Sequence, residues 1–400
     1  MNLATIPIKE LATVSSGGSA PQDPNAFSES GHPFVRAGSL PKLLDGAEEQ
    51  ALEKLEMATA SKHGLRLFPA GTVLFAKSGM SATKGHVYKL EGPAYVVSHL
   101  AALVPHDPRD SGFLVRALEK YSPTSLIRDP AYPSIRLPDI EDFQIEGPND
   151  VAERSRITAI LDQADDLRRR RRDALERLNT LRQAIFLDMF GDPATNPKNW
   201  NKGTIEDALT SGLLLEIQDG NHGERHPKVS NFSPQGVPFI TANCLANGKL
   251  DVSKAYKLDP SWLRKLRIGF AKAGDLLLSH KGTIGEVAVV PSWCEDLILS
   301  PQVTYYRIGV GLNVQFLAGY FRTSNIQAIL AKDAEQSTRA YIGITRQRAL
   351  PIFFPPILLQ QQFAERIFAL ELLEDQCGAA AKALNTLFTS LQDRAFRGEL

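Results

Sequence analysis

The chain has 400 residues, more than one hydrophobic core usually holds, so we expect two or three domains. Its 45 basic and 45 acidic residues cancel, which excludes a uniformly basic nucleic-acid binder but not local basic faces. The N-terminus lacks a charged start and a long apolar run, so we expect no signal peptide, and no apolar run could span a bilayer. Three widely separated cysteines predict neither a disulfide framework nor a zinc site and fit the reducing cytoplasm.

The first segment, residues 1–149, is predicted to be globular and to mix helices and strands. Its predicted elements in chain order are a short strand or helix at 6–14, a strand at 33–35, an amphipathic helix at 46–60, and strands at 68–76 and 94–104 that flank a polar, glycine-bearing loop at 77–86.

A stretch without glycine or proline, residues 153–190, predicts one long helix. Its apolar residues recur with heptad spacing, which indicates a coiled-coil seam. One predicted seam row holds Ile157, Ala164, Leu178 and Ile185, and the other holds Ile160, Leu167, Ala174 and Leu181. At a rise of about 1.5 Å per residue the helix is about 60 Å long, and its apolar stripe needs a partner.

Residues 359–400 repeat this helix at an offset of 206. Leu384-Asn385-Thr386-Leu387 matches Leu178-Asn179-Thr180-Leu181. At the same offset the first seam row continues as Phe363, Leu370, Cys377, Leu384 and Leu391, and the second as Leu373, Ala380 and Leu387. The two helices are therefore predicted to pair with each other, and this internal repeat decides the architecture.

The segment between the helices, residues 192–357, repeats the plan of the first segment. The matched stretches are 236–240 with 31–35, 273–279 with 70–76, the loop 280–286 with 77–86, and 340–341 with 131–132. The order globule, helix, globule, helix favours an α+β fold, with two mixed α/β domains at opposite ends of an antiparallel helix pair and a rough twofold axis. Because the major groove of B-DNA repeats about every 34 Å, such a pair could act as a ruler on a duplex.

With these features the chain resembles, over essentially its whole length, the specificity (S) subunit of Type I restriction–modification enzymes. The most specific parts are Phe186-Leu187-Asp188-Met189-Phe190-Gly191-Asp192-Pro193 and the C-terminal Arg394-Ala395-Phe396-Arg397-Gly398-Glu399-Leu400. The segment 220–228 also resembles a subtype of the family's second recognition domain. The resemblance implies two target-recognition domains that each read half of a split DNA site. It also implies helices that hold the spacing and dock methyltransferase (M) subunits, and a translocating nuclease (R) subunit that joins for restriction.

Under this resemblance we expect target-recognition domain 1 at 1–149, a central spacer helix at 150–191, target-recognition domain 2 at 192–357 and a C-terminal spacer helix at 358–400. The expected partners are double-stranded DNA and the M and R subunits. Because the two segments differ greatly in sequence, we expect an asymmetric target. The S subunit of the family performs no chemistry, so we expect no catalytic residue, cofactor or metal.

Motifs of competing chemistry are missing from the sequence. Residues 353–357, Phe-Phe-Pro-Pro-Ile, lack both the leading Asn or Asp and the trailing aromatic residue of an adenine methyltransferase motif. There is also no phosphate-cradling Gly-x-x-x-x-Gly-Lys-Ser/Thr loop. Two other functions nevertheless fit the repeat: an adaptor that assembles proteins without DNA preference, and an enzyme with an unrecognised site.

The two glycine-bearing loops have side chains suited to DNA contact, since Arg and Lys suit guanine, Asn and Gln suit adenine, and small residues let a loop approach phosphates. The candidates are Lys77, Ser78, Thr83, Lys84 and His86 in the first segment and His280, Lys281 and Thr283 in the second. Four further candidates, Arg36, Ser39, Thr241 and Asn243, follow matching strands and are expected to line the same face. The alternative is a plain hairpin turn whose glycines supply positive φ.

The densest polar cluster holds Asn221, His222, Arg225, His226 and Lys228, which we interpret as base and phosphate contacts, with a solvated loop as the alternative. Only His222 and His226 lie close together as possible metal ligands, and this argues against a metal site.

Five consecutive arginines, Arg168–Arg172, lie inside the predicted first helix. Successive helical residues are about 100° apart, so the run circles the helix. It predicts a solvated collar that pairs locally with Asp162, Asp165 and Asp166. Contact with DNA phosphates or with an acidic partner is the alternative.

Overall fold

In a computed structural model the chain forms two compact units, unit 1 with Met1–Arg172 and Ala380–Leu400, and unit 2 with Asp173–Ala379. The structure describes residues 3–223, 226–335 and 341–400, with the backbone alone for Asn179 and Glu335. Both units mix helices and strands, which confirms the predicted α+β class. No helix of the described residues is long and apolar enough to cross a membrane.

The strands of unit 1 are β1 (Leu3–Pro7), β2 (Ala12–Ser16), β3 (His32–Val35), β4 (Lys54–Leu55), β5 (Leu67–Phe68), β6 (Val73–Ala76), β7 (Val87–Lys89), β8 (Ala94–Val96), β9 (Leu100–Pro105) and β10 (Gln144–Pro148). Its short helices are α1 (Ile8–Leu11), α2 (Leu40–Leu44), α3 (Met57–Lys62), α4 (Asp110–Lys120) and α5 (Leu137–Glu141). The long helix α6 (Val151–Phe190) begins in this unit. One sheet has the antiparallel order β2-β9-β6-β7, and another has the order β4-β3-β8-β5 with β3 and β8 parallel.

The strands of unit 2 are β11 (Asn201–Thr204), β12 (Leu214–Asp219), β13 (Phe232–Ser233), β14 (Val237–Ile240), β15 (Leu245–Ala246), β16 (Lys249–Leu250), β17 (Tyr256–Leu258), β18 (Phe270–Ala271), β19 (Leu276–Lys281), β20 (Thr283–Val289), β21 (Leu297–Leu299), β22 (Val303–Ile308) and β23 (Pro351–Phe354). Its short helices are α7 (Ile205–Thr210), α8 (Trp262–Lys265), α9 (Val314–Phe321), α10 (Ser324–Glu335) and α11 (Ile344–Arg348). The second long helix, α12 (Ile357–Phe396), begins here.

The internal repeat predicted from the sequence is visible in the two topologies. The order β12-β22-β19-β20 repeats β2-β9-β6-β7, and β17-β14-β21-β18 repeats β4-β3-β8-β5, with β14 parallel to β21. Gly17 and Gly220 are equivalent in the two units. A Cβ would lie 1.9 Å from the Val96 carbonyl oxygen at the first and 2.1 Å from the Leu299 carbonyl oxygen at the second. Only glycine lets the chain pass so close to the strand, so the same close approach is built into both domains.

The long helices pair in an antiparallel sense within each unit. In unit 1 Arg156 Nη2 donates to the Leu400 carbonyl oxygen at 2.9 Å. In unit 2 the rings of Phe186 and Phe363 have their centroids 5.5 Å apart, and Arg182 bonds Glu374 at 2.9 Å. The early part of α6 thus meets the end of α12, and the late part of α6 meets its beginning.

The first predicted seam row is buried where it joins each core, at Ile157 and Phe363 for example. The second predicted row is wrong, because its leucines are about half exposed: Leu167 53%, Leu181 44%, Leu373 49% and Leu387 48%. The actual row lies one residue later at the same offset of 206, with Leu161, Arg168, Leu175, Arg182 and Met189 in α6 and Ile367, Glu374, Ala381, Phe388 and Ala395 in α12.

The adjoining domain explains this shift. In unit 1 Leu161 is fully buried in a cluster that also holds Phe113 of α4 and Phe388 of α12. Heptad spacing allows the second row at either three or four residues after the first. The row that also faces the domain core buries more apolar surface and is therefore the one formed.

The helix predicted over 46–60 is also wrong. Gly46 has a φ of +97° and ends the preceding turn, and Leu55 pairs with His32 in the sheet. The buried Glu49 carboxylate accepts hydrogen bonds from the backbone N–H of Glu91 at 2.8 Å and of Gly92 at 3.0 Å. Tertiary pairing of these residues therefore overrides their amphipathic pattern, and only a 3-10 turn at Glu49–Ala51 and the α-helix α3 form.

Candidate DNA interface

In unit 1 a cavity of 410 Å³ lies where β3 and β8 end side by side. Its described lining residues include no carboxylate and are Ser19, Ala20, Gln22, Arg36, Ala37, Gly38, Val97, Ser98 and His99. The Arg36 guanidinium lies 5.1 Å from the ring centroids of both Phe27 and Phe34 and pairs with Glu53 at 3.0 Å. Its orientation is therefore fixed by neighbours on two sides before any ligand arrives.

A second cavity of 240 Å³ shares the wall Ala37–Gly38 with the first. It is lined by two of the predicted residues, Lys84 and His86, and by Met80. Lys84 is exposed, and its ammonium has no carboxylate partner among the described residues. The fold thus brings Arg36, Lys84 and His86 to one concave surface, although Arg36 is far from the other two in sequence.

The remaining unit 1 candidates line neither cavity. Ser39 Oγ accepts a hydrogen bond from the Arg36 backbone N–H at 3.3 Å, and Thr83 Oγ1 donates to the Met80 carbonyl oxygen at 2.8 Å. The Lys77 backbone N–H donates to the His99 carbonyl oxygen, and Ser78 forms an isolated β-bridge with Ser134. Their visible roles are local, holding the turns from which the other side chains project.

Unit 2 has a larger cavity, of 640 Å³, at the end of β14. The predicted residues His222, His226, Lys228, Thr241 and Lys281 all line it. Its other described lining residues are Gly223, Pro227, Val229, Phe232, Phe239, Tyr256, Ser300, Pro301 and Gln302, and none of the described lining residues is a carboxylate. With two ammonium groups at its rim, the cavity is suited to a polyanion.

A stacked aromatic pair forms one wall of this cavity. The rings of Phe232 and Tyr256 are 4.3 Å apart at an interplanar angle of 8°, and Tyr256 is 50% exposed. A flat, half-exposed ring beside a cationic rim can contact a sugar or the methyl group of thymine. Sequence reasoning missed both residues, because they lie in separate short strands that only the sheet brings together.

Burial keeps two histidines of unit 2 neutral at neutral pH. It lowers the pKa of His280 to about 4, and with nearby His222 and Lys281 it lowers the pKa of His226. His226 Nδ1 and His280 Nε2 are buried and have no hydrogen-bond partner in the part of the chain that the structure describes. His222 Nε2 lies 2.6 Å from Asp219 Oδ2. No group of described residues here could hold a metal ion.

The other unit 2 candidates lie outside the cavity lining. His280 has a fully buried side chain, with Nδ1 3.1 Å from the Ile342 carbonyl oxygen, and its DNA contact stays a prediction. Asn221 is also buried and donates to the Ile268 carbonyl oxygen. Asn243 and Thr283 are exposed beside the cavity, and Arg225 lies outside the described residues.

A groove of 500 Å³ in unit 1 has the opposite electrostatic character. Its described lining includes six carboxylates, Glu48, Glu91, Glu119, Asp162, Asp165 and Asp166, against three cations, Lys89, Arg116 and Arg169. This net negative charge repels phosphates, so we leave the groove out of the candidate DNA interface.

The arginine collar pairs locally, as predicted. Arg169 and Arg170 bond Asp165 at 3.1 Å and Asp166 at 2.8 Å. Asp162 differs, because it pairs with Arg116 of α4 at 2.7 Å. Arg168 also bonds Asp165, at 3.3 Å, so Arg168, Arg169 and Arg170 are each held by a carboxylate about one helical turn earlier.

Comparisons with known proteins place this fold. Residues 2–177 match the model of the Type I restriction modification DNA specificity domain. The whole chain resembles the crystal structure of the Type-I restriction-modification system S subunit from M. genitalium, with a TM-score of 0.60 and 12% identity, covering 99% of this chain and 96% of that one.

It also resembles a structure described as the structural basis of complex assembly and conformational transition of the type I R-M system. The TM-score is 0.58 at 16% identity, covering 100% of this chain and 98% of that one. At these identities the likeness establishes the fold. No curated protein matches the chain. Residues 2–177 thus match the model of the Type I restriction modification DNA specificity domain, and the chain as a whole has the fold of S-subunit structures, as the resemblance in its sequence predicts.

Proposed function

We propose that this chain is the DNA sequence-specificity subunit of a Type I restriction–modification complex and that it reads a bipartite, asymmetric duplex target. The observation on which this rests is the duplicated cavity: both units have the same topology and a cavity at the same place, but different side chains line it. One fold with two linings fits two half-sites of different sequence.

The proposed division of labour follows from charge. Lys228 and Lys281 in unit 2, and Lys84 in unit 1, contact phosphates, which fix register and orientation without reading sequence. Arg36 and His86 in unit 1, and His222, His226 and Thr241 in unit 2, approach base edges. Asn243 and Thr283 are proposed as neighbouring contacts, whereas Ser39, Lys77, Ser78 and Thr83 support the unit 1 surface. Arg225, outside the described residues, stays a predicted contact.

We assign target-recognition domain 1 to residues 1–149 and target-recognition domain 2 to residues 192–357. The helical segments 150–191 and 358–400 are the proposed spacers. Because each spacer is an α-helix, its length is fixed at about 1.5 Å per residue, and a fixed length is what a fixed spacing between half-sites requires. The chain itself performs no chemistry in this proposal and acts on DNA in the cytoplasm.

The proposed partners are M subunits on the long helices and an R subunit that joins for restriction. Support comes from the outer side of α12 in unit 2, where Leu358, Phe368 and Leu372 are 70%, 70% and 54% exposed. Large apolar side chains grouped on one exposed helix mark a protein interface. We assign this surface to the methyltransferase.

Duplex binding with displaced half-sites tests the proposal. The full-length chain with its methyltransferase partner should bind its target with a steep dependence on salt, because phosphate contacts release counterions. Inserting several base pairs between the half-sites should abolish the sequence preference. Unchanged binding after insertion contradicts the bipartite reading. Binding of partner proteins with no DNA preference at any salt would make the chain an adaptor, and cutting or methylation of DNA by the chain alone would make it an enzyme.

A further inference from the structure

Each unit has a tight turn at the same structural position. The Leu100 backbone N–H donates to the Val97 carbonyl oxygen at 3.0 Å, and the Val303 N–H donates to that of Ser300 at 3.2 Å. These bonds close two-residue turns at 98–99 and at 301–302. The first turn follows β8, which runs parallel to β3, and the second follows β21, which runs parallel to β14. The strands β3 and β14 each end at the cavity of their own unit.

A second pair of hydrogen bonds makes the equivalence residue by residue. The His99 carbonyl oxygen accepts from the Lys77 N–H at 2.9 Å, and the Gln302 carbonyl oxygen accepts from the His280 N–H at 2.9 Å. His99 and Gln302 therefore occupy one and the same position in the two domains. Sequence matching did not reveal this, because the two turns share no residue.

Both side chains line the cavity of their own unit. The side chain of His99 is exposed and has no hydrogen-bond partner among the described residues. Among the described residues, Gln302 Oε1 accepts only from the Ala242 N–H, at 3.3 Å, which leaves its amide donors available. Hydrogen bonds hold the backbone of each turn on both sides. Little further backbone entropy is therefore lost when the side chain binds a ligand.

We propose that this turn position determines the sequence specificity of each half-site, with Gln302 reading an adenine and His99 reading a guanine. The inference rests on the proposed function. Gln matches the N6 donor and N7 acceptor of adenine, and an imidazole N–H can donate to the O6 or N7 acceptor of guanine. Neither side chain is a fixed cation, whereas Lys228 and Lys281 at the cavity of unit 2 are, and this separates base reading from phosphate binding.

The test is the base preference of the full-length chain, in complex with its methyltransferase partner, on a library of randomised duplexes. Gln302→Ala should lower discrimination at one base pair of one half-site about tenfold or more, and His99→Ala should do so at one base pair of the other. The matched controls are Gln235→Ala and His63→Ala, which change exposed residues of the same types outside the two cavities.

A variant that acquires a new base preference distinguishes an altered contact from misfolding, which would only remove the preference. Gln302→Glu should move the preference at its base pair from adenine to cytosine, because a carboxylate accepts from cytosine N4. An unchanged profile in the alanine variants, or an equal flattening at every position, overturns the inference. If the wild-type complex itself selects no sequence, the proposed function fails instead, so the two failures are distinguishable.

Discussion

Replacement of one seam leucine tests the corrected helix packing. Leu161 is fully buried in unit 1, between the long helices and α4. Leu161→Ala removes three carbons, worth about 0.8 kcal/mol each as buried surface, and leaves a cavity that costs more. We therefore expect the free energy of unfolding to fall by about 3 kcal/mol.

Leu167 is the matched control, because it lies on the same helix in the row that the sequence predicts to be buried. It is 53% exposed, so Leu167→Ala should cost about 1 kcal/mol or less. Leu and Ala have similar helix propensities at both positions, so propensity cancels in the comparison. Urea unfolding followed by circular dichroism measures both values. Equal losses, or a larger loss at Leu167, would refute the shifted seam.

Three further predictions concern charge. Asp110→Ala should lower the free energy of unfolding by about 3 kcal/mol or more, because the buried Arg154 guanidinium, which bonds both Asp110 oxygens at 2.7 and 2.9 Å, loses its carboxylate partner. Lys9→Ala is the control at an exposed ion pair and should leave the unfolding midpoint unchanged. Equal shifts of the midpoint in the two variants would contradict this prediction. The folded-state pKa of His280 is about 4, below its ordinary value of 6.5, so the unfolded chain takes up a proton first and stability falls as the pH falls. His280→Asn should remove about 2 kcal/mol of the loss between about pH 7.5 and about pH 5 in urea unfolding, and an unaltered pH profile would count against a neutral, buried imidazole. Lys228→Ala should reduce the slope of log affinity against log salt by about 1 without changing the base preference, and a changed preference would show that Lys228 reads bases.

The architecture could be predicted because its signals extend over long stretches. The heptad rows and the offset of 206 persist through both long helices, and the matched strands keep their Gly and Pro residues. The choice of seam row could not be predicted, because apolar residues stand at both possible spacings and α4, far away in sequence, decides between them.

The interface was only partly predictable for a similar reason. His226, Thr241 and Lys281 were found by residue type, and the fold brings them together. His99 and Gln302 were missed, because a single polar residue in a turn has no pattern of its own. Their equivalence follows from the hydrogen bonds that their carbonyl oxygens accept from the Lys77 and His280 backbone N–H groups, which local sequence does not indicate.

Mapping of methylated bases in DNA from cells that contain this chain and its methyltransferase partner tests the central claim most directly. The account predicts one asymmetric motif, made of two unlike half-sites separated by a nonspecific gap of constant length, and its loss when this chain is deleted. Methylation that persists without the chain, or that falls on one uninterrupted motif, would contradict the account.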